Sequence, residues 1–244
     1  VLSSIGTKVG DKWEGTKEVA GNTWQATKDA ATSGDLAGAG WMGLDAGGDA
    51  TSGASNTSGG KFNLIEAALN FKGGANITGL DEAQTRAYAA NTMQTESQGK
   101  VDSVNSFGFS GQYQFGADAL AEAGLINMQK LQAAKRAAGK GWYDSGAHKA
   151  FIQDKSNWDL PGGQAAFLND KTLQDQKFVE YTNRNISRGI KSGAITTNDE
   201  PARIAGYGKA AHLTGSGGAN KLFKNGESSK DAYRTSTAEY DTQA

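Results

Sequence analysis

Cysteine is absent from the 244 residues. That excludes a disulfide framework, a thiol nucleophile and a zinc ribbon. Histidine is nearly absent as well: His148 and His212 lie far apart, with no ligand spacing around either. Neither a metal site nor a Ser-His-Asp triad is expected, and no cofactor motif is present. No apolar run approaches the roughly 20 residues a membrane-spanning helix needs. The first 25 residues lack the apolar core of a signal peptide. Net charge is only −1, so there is no bulk attraction to nucleic acid or an acidic membrane. Proline occurs twice against 34 glycines, which suggests helices joined by glycine turns.

What is present divides into three stretches. Residues 1–33 carry a short repeat: Asp11-Lys-Trp-Glu-Gly-Thr-Lys-Glu is echoed by Asn22-Thr-Trp-Gln-Ala-Thr-Lys-Asp. The offset places Trp13 and Trp24 on one helical face, because eleven residues make about three turns. Such a helix docks either on its own domain or on a partner; its mixed charges argue against a membrane surface. Residues 34–60 include nine glycines among 27 residues and read as a tether, with Trp41, Met42 and Leu44 as one apolar island.

From residue 61 onward the composition changes to that of a mostly helical domain, expected to run to 244. Phe62, Leu64, Ile65, Ala68 and Leu69 recur at helical spacing. Residues 80–98 predict a strong helix, with Leu80, Ala83, Ala87, Ala90 and Met93 on its buried side and Gly99 as its stop. Further helices are expected over 117–138, 163–170, 173–191 and 199–212. Asp199 and Glu200 ahead of Pro201 mark the start of the last. Residues 102–115 offer the one convincing place for a small β-hairpin.

Glu96 falls in the final turn of the 80–98 helix. The negative end of the macrodipole and partial burial both disfavour an ionised carboxylate there, so Glu96 is expected to hold its proton near neutral pH. A protonated carboxyl beside a groove can act as general acid in glycosidic cleavage. The glycines of Phe107-Gly-Phe-Ser-Gly111 and Gln112-Tyr-Gln-Phe-Gly116 allow tight turns or close approach of a ligand. Tyr113 and Phe115 can present ring faces to sugars, and the Gln114 amide can both donate and accept.

Glu96-Ser97, Ser106, and Gly108-Phe-Ser-Gly111-Gln-Tyr-Gln-Phe resemble the motif of soluble lytic transglycosylases and goose-type lysozymes. Gly111, Gln114 and Phe115 fill its closing places. Ile204-Ala-Gly-Tyr207-Gly-Lys-Ala-Ala-His-Leu-Thr-Gly-Ser-Gly-Gly218 is similar to the family's tyrosine motif, and Gln174-Asp175-Gln-Lys-Phe178 with Tyr181 fits the helix between them. The segment after Tyr207, with Asp231-Ala-Tyr-Arg-Thr-Ser, looks like lysozyme-like domains of phage virion proteins. Gly208 departs from the pattern, which commonly has asparagine there. The resemblance spans roughly residues 62–240.

The resemblance implies an α+β lysozyme-like fold, mainly α with one hairpin. It implies Glu96 as the acid and Tyr207 as the group that holds it. Ser106, Gly111, Tyr113, Gln114 and Phe115 would contact the glycan. The implied reaction is cleavage of the MurNAc-GlcNAc β-1,4 bond of peptidoglycan. Closure to an anhydro ring and hydrolysis both stay open. Hydrolysis usually needs a second carboxylate, for which Asp102 is the nearby candidate in sequence. The expected setting is a phage virion, in the tail or ejected, acting at the host cell wall and periplasm. Residues 1–60 would grip other virion proteins. A free endolysin, or a structural hub that keeps the fold without the activity, are the alternatives. Trp142, Tyr143 and Trp158 could line a sugar cleft or anchor the core. Lys135, Arg136, Lys140 and Lys149 suggest a solvated positive face.

Overall fold

Asp81 shows why the central helix begins where it does. Its carboxylate accepts the Gln84 amide at 2.7 Å, while the Gln84 side chain accepts the Asp81 amide at 2.9 Å. This reciprocal cap satisfies two donors that a helix start leaves open. The computed structural model describes residues 62–226. The docking helix, the tether and the Asp231 segment lie outside them.

Eight α-helices are described. They are α1 (Leu64–Leu69), α2 (Glu82–Ser97), α3 (Ala117–Glu122), α4 (Met128–Ala138), α5 (Ala147–Gln153), α6 (Gly163–Leu168), α7 (Lys171–Ser192) and α8 (Pro201–Asn225). Short 3-10 turns follow α4 and α5. The domain is mainly helical, as expected. Leu80, Ala83, Ala87, Ala90 and Met93 are all buried.

Several boundaries differ from the sequence reading. The expected 117–138 helix is two helices. Gly124, at φ 74°, ends α3, and Asn127 caps α4 by accepting the amides of Gln129 and Lys130. Between them Leu125 and Ile126 drop into the core. Helix α2 ends at Ser97, one residue short of the expected 98, with both Gln98 (φ 56°) and the stop glycine Gly99 (φ 71°) left-handed. Helix α5 had no expectation at all. Helix α8 starts at Pro201 as expected but continues to Asn225, through a break at Gly215 (φ 72°, ψ 170°).

The expected hairpin is absent as a paired ladder among the described residues. Residues 102–115 instead form a run of turns pinned by single antiparallel bridges, Val104 to Ser110 and Ser110 to Phe115. The physical reason is in the backbone. Gly108 (φ 92°), Gly111 (φ 81°) and Gln114 (φ 49°) are all left-handed, so no extended run survives between them.

Helix α7 runs beside α8, and Gly189 lets them approach. A Cβ on Gly189 would lie 2.5 Å from the Tyr207 ring. Gly208 does the same for α2 against α8, because a Cβ there would lie 2.7 Å from the Tyr88 hydroxyl. An aromatic stack fills the space between α2, α7 and the turn segment. Tyr113 stacks on Phe178 with centroids 4.1 Å apart, and Phe178 stacks on Tyr88 at 5.6 Å. Each such ring taken out of water contributes roughly 1.5–3 kcal/mol. No helix among the described residues is long and apolar enough to cross a membrane.

Candidate active site

The turn segment is held from beneath by two buried residues of α7. Gln174 accepts the Gln112 amide at 2.7 Å and donates to the carbonyls of Phe167 (2.8 Å) and Val101 (3.0 Å). Asp175 accepts from the Gln112 side chain and the Tyr113 hydroxyl, both at 2.7 Å. Its other oxygen accepts from the Lys72 amide at 2.9 Å and from Lys171 at 2.8 Å. A buried carboxylate needs this many donors, because an unsatisfied one would carry a large desolvation cost. Desolvation and the neighbouring Asp175 push the Tyr113 hydroxyl well above its ordinary pKa.

Both histidines clamp the same segment. His148 is buried; its Nδ1–H donates to the Phe107 carbonyl at 2.6 Å and its Nε2 accepts the Ala117 amide at 3.1 Å. That pair of partners selects the neutral Nδ1–H tautomer. His212 Nε2–H donates to the Tyr113 carbonyl at 2.8 Å, leaving Nδ1 buried without a hydrogen-bond partner among the described residues. Burial lowers the pKa of both rings, His212 to about 4.

Above this platform lies a groove of about 870 Å³. Glu96 lines it together with Gln114 and Phe115 from the turn segment, Tyr181 from α7 and His212 from α8. The broken part of α8, Leu213 to Gly218, forms one wall. Glu96 reaches the groove from the last turn of α2 with its side chain 17% exposed. Ser97, the next residue, donates its hydroxyl to the Gln112 carbonyl at 2.8 Å. The helix end that carries Glu96 is thereby tied to the turn that carries Gln114.

The surroundings of Glu96 include titratable neighbours that the sequence reading, built on the helix macrodipole and partial burial, did not name. His212 Nε2 lies 3.7 Å from Glu96 Oε1. Lys209, one turn earlier on α8, is fully buried. Desolvation drives the Lys209 ammonium down to about 7, and the negative charge of Glu96 is what opposes that drop. A neighbouring ammonium favours the ionised carboxylate, so two effects compete at Glu96 where the sequence reading had named only one direction.

The expected ligand contacts divide. Gln114 and Phe115 line the groove, and Gln114 is additionally tied to the Gly111 carbonyl at 2.9 Å. Tyr113 does not offer a ring face: it is fully buried between Phe178 and Asp175. Gly111 serves the backbone, since a Cβ there would meet Gln174 Oε1 at 2.5 Å. Ser106 is exposed, and neither it nor Asp102 is among the groove residues.

Tyr207 is also outside the groove lining. It is buried, its hydroxyl donates to Asn220 at 2.9 Å, and its ring meets Phe223 edge-on. Desolvation holds its pKa near 12. At about 100° per residue, Tyr207 sits some 160° around α8 from Lys209 and 140° from His212. The α8 residues facing Glu96 are therefore Lys209 and His212. Gly208 is explained by the Tyr88 hydroxyl, which occupies the place an asparagine side chain would need.

Tyr143 lines the groove, whereas Trp142 and Trp158 are core residues. Lys135 is paired with Asp118 at 2.8 Å. Sequence reasoning missed Lys209, Asn185 and Arg188, and named Tyr181 only as part of the linking helix, not as a groove residue. A lone lysine in the run from Ala205 to Ala211, where every other residue but Tyr207 is glycine or alanine, was a readable signal for the first, because it is the one charge on that stretch. Two further carboxylates, Asp118 and Glu122, line the groove; Glu122 is paired with Arg188 at 2.8 Å. Family models, characterised proteins and solved structures, compared with the chain, gave no match.

Proposed function

We propose that this domain cleaves the glycan strands of peptidoglycan, at the MurNAc-GlcNAc β-1,4 bond, with Glu96 as general acid. The observation that carries the reading is the position of Glu96. It opens into a groove of about 870 Å³ beside Gln114 and Phe115, and Ser97 ties its helix end to that same turn. A carboxyl so placed can protonate a glycosidic oxygen, and Gln114, whose amide nitrogen donates to the Gly111 and Ser103 carbonyls, keeps its side-chain oxygen to accept from a hydroxyl or an N-acetyl N–H. With the other groove carboxylates held in ion pairs, closure to an anhydro sugar is the preferred product, Glu96 taking back a proton from the 6-hydroxyl. The setting we propose is a phage virion, tail or ejected, that opens the host cell wall.

Zymography on purified cell wall tests this directly. Wild type should clear the gel, and Glu96→Gln should lose at least about 100-fold while keeping its helical circular dichroism. A folded wild type that releases no muropeptides would overturn the reading. Mass spectrometry of the products separates anhydro from reducing ends.

A second reading has its own observation. Tyr207 is engaged with Asn220, away from the groove, as suits a structural hub that has kept the fold without the chemistry. That reading gives a folded, wall-binding protein with no product at any pH.

A further inference from the structure

Helix α8 does not run straight. Arg203 and Phe223 would stand about 30 Å apart in an unbroken helix, yet the Arg203 guanidinium lies 5.1 Å from the centre of the Phe223 ring. The break at Gly215 (φ 72°, ψ 170°) turns the chain back on itself, in a conformation open in practice only to glycine. The second arm, 216–225, is short and carries Gly217 and Gly218 near its start, so it needs support from outside. One side of this arm faces the groove, where Ser216, Gly217, Gly218 and Lys221 form part of the wall. That side gives little support: a Cβ at Gly215 or Gly217 would meet no atom within 4 Å.

The other side is fastened. Asn220 Oδ1 accepts from the Tyr207 hydroxyl at 2.9 Å and lies 2.9 Å from the Ser192 hydroxyl at the end of α7. The Phe223 ring meets Tyr207 edge-on with centroids 5.4 Å apart, and Lys224 donates to the Ser192 carbonyl at 2.9 Å. Tyr207 is itself held fast, buried where a Cβ on Gly189 of α7 would touch its ring. A fixed hydroxyl on the first arm therefore grips an amide on the second, and the second arm is one bank of the groove. We propose that Tyr207 is a positioning residue: through Asn220 it latches the returning arm of α8, and so fixes the groove wall from Gly215 to Lys221 against which a glycan lies.

This deepens the proposed glycan cleavage and rests on it only for the identity of the ligand. It gives Tyr207 a different task from the one the resemblance implied. A tyrosine that steadies Glu96 acts on the protonation step. A tyrosine that steadies the wall acts on binding of the strand, in ground state and transition state alike, and shows in KM more than in kcat.

Tyr207→Phe in the full chain keeps the ring and removes the hydroxyl. On soluble glycan fragments, well below the melting temperature, KM should rise about three- to tenfold, with kcat within about twofold and its pH profile unmoved. Asn220→Ala should do the same from the other side of the contact. Asn220→Asp, which keeps the acceptor, should stay near wild type, and Tyr207→Phe added to Asn220→Ala should cost nothing further. Hydrogen exchange reads the latch without any activity. In Tyr207→Phe the amides of 216–225 should exchange faster by a similar factor, and those at the end of α2 should not. A fall in kcat with a shifted pH profile overturns the inference, and so do arm amides as protected as in wild type or additive effects in the double variant. If the wild type is inert, the same loss is read as affinity for chitohexaose by calorimetry. A loosened arm with weakened chitohexaose binding and no cleavage would overturn the proposed cleavage and leave the latch standing.

Discussion

Gln174 Oε1 accepts the Gln112 amide at 2.7 Å, across 62 residues of chain. With the two bonds donated by its Nε2, this one side chain fixes the turn beneath the groove to α6 and α7. Gln174→Ala removes all three bonds and leaves buried backbone groups unpaired. The expected loss is about 2–4 kcal/mol, read as a lower urea midpoint at unchanged slope. A midpoint within error of wild type would show that the turn is held by other contacts.

Gly208→Asn places a side chain where the Tyr88 hydroxyl sits, 2.7 Å from the Cβ position. It should destabilise the domain by about 2 kcal/mol or more. Gly208→Ala with Tyr88→Phe should recover part of the loss relative to Gly208→Ala alone. Recovery is partial because the Tyr88 ring carbon stays 3.3 Å from the added methyl. A double-mutant cycle with no coupling energy would contradict the contact.

Tyr113→Phe removes one of the four donors on Asp175 and leaves the ring stack in place. Stability should fall by about 1–2 kcal/mol. The rate of cell-wall clearing, measured well below the melting temperature, should not change. A selective loss of rate would return Tyr113 to the role of a ligand contact.

Acid should loosen the domain through its histidines. The unfolded chain takes up the His212 proton near 6.5, the folded chain only near 4. Between those values the unfolded state binds more protons, so stability falls as pH falls, and this contribution is fully spent below the folded value. The loss is on the order of 2–3 kcal/mol. His148 shifts in the same direction and adds to it. Urea midpoints from pH 7 to pH 4 should decline, and His212→Gln, which keeps an amide donor for the Tyr113 carbonyl, should flatten the decline. An equal slope in the variant would assign the effect elsewhere.

The local signals were the legible ones. Helix α2 was readable because its apolar residues step by three and four, and α8 because Pro201 follows two acidic residues. The position of Glu96 at a helix end followed from the same periodicity. Residues 102–115 were harder, because alternation alone does not show which residues take left-handed backbone. Three of them do, and they turn Tyr113 inward while Gln114 and Phe115 reach the groove. Tyr207 lies away from its expected place beside Glu96 for a related reason. The motif spacing located the helix but not its rotation, and rotation is set by Gly189 and Gly208 admitting the Tyr207 and Tyr88 rings. Helix α5 has only seven residues, too few for a period to stand out.

The His212 contact spans 99 residues back to Tyr113. A ribosome therefore makes Glu96 and its whole glycine-rich neighbourhood long before it makes the side chain that closes over them. Until α8 has emerged, the Tyr113 carbonyl lacks its imidazole, Lys209 does not yet exist, and one bank of the groove is missing. The acid-bearing end of α2 stays incomplete throughout translation and matures only when the distal helix docks, which makes that docking the step that creates the site.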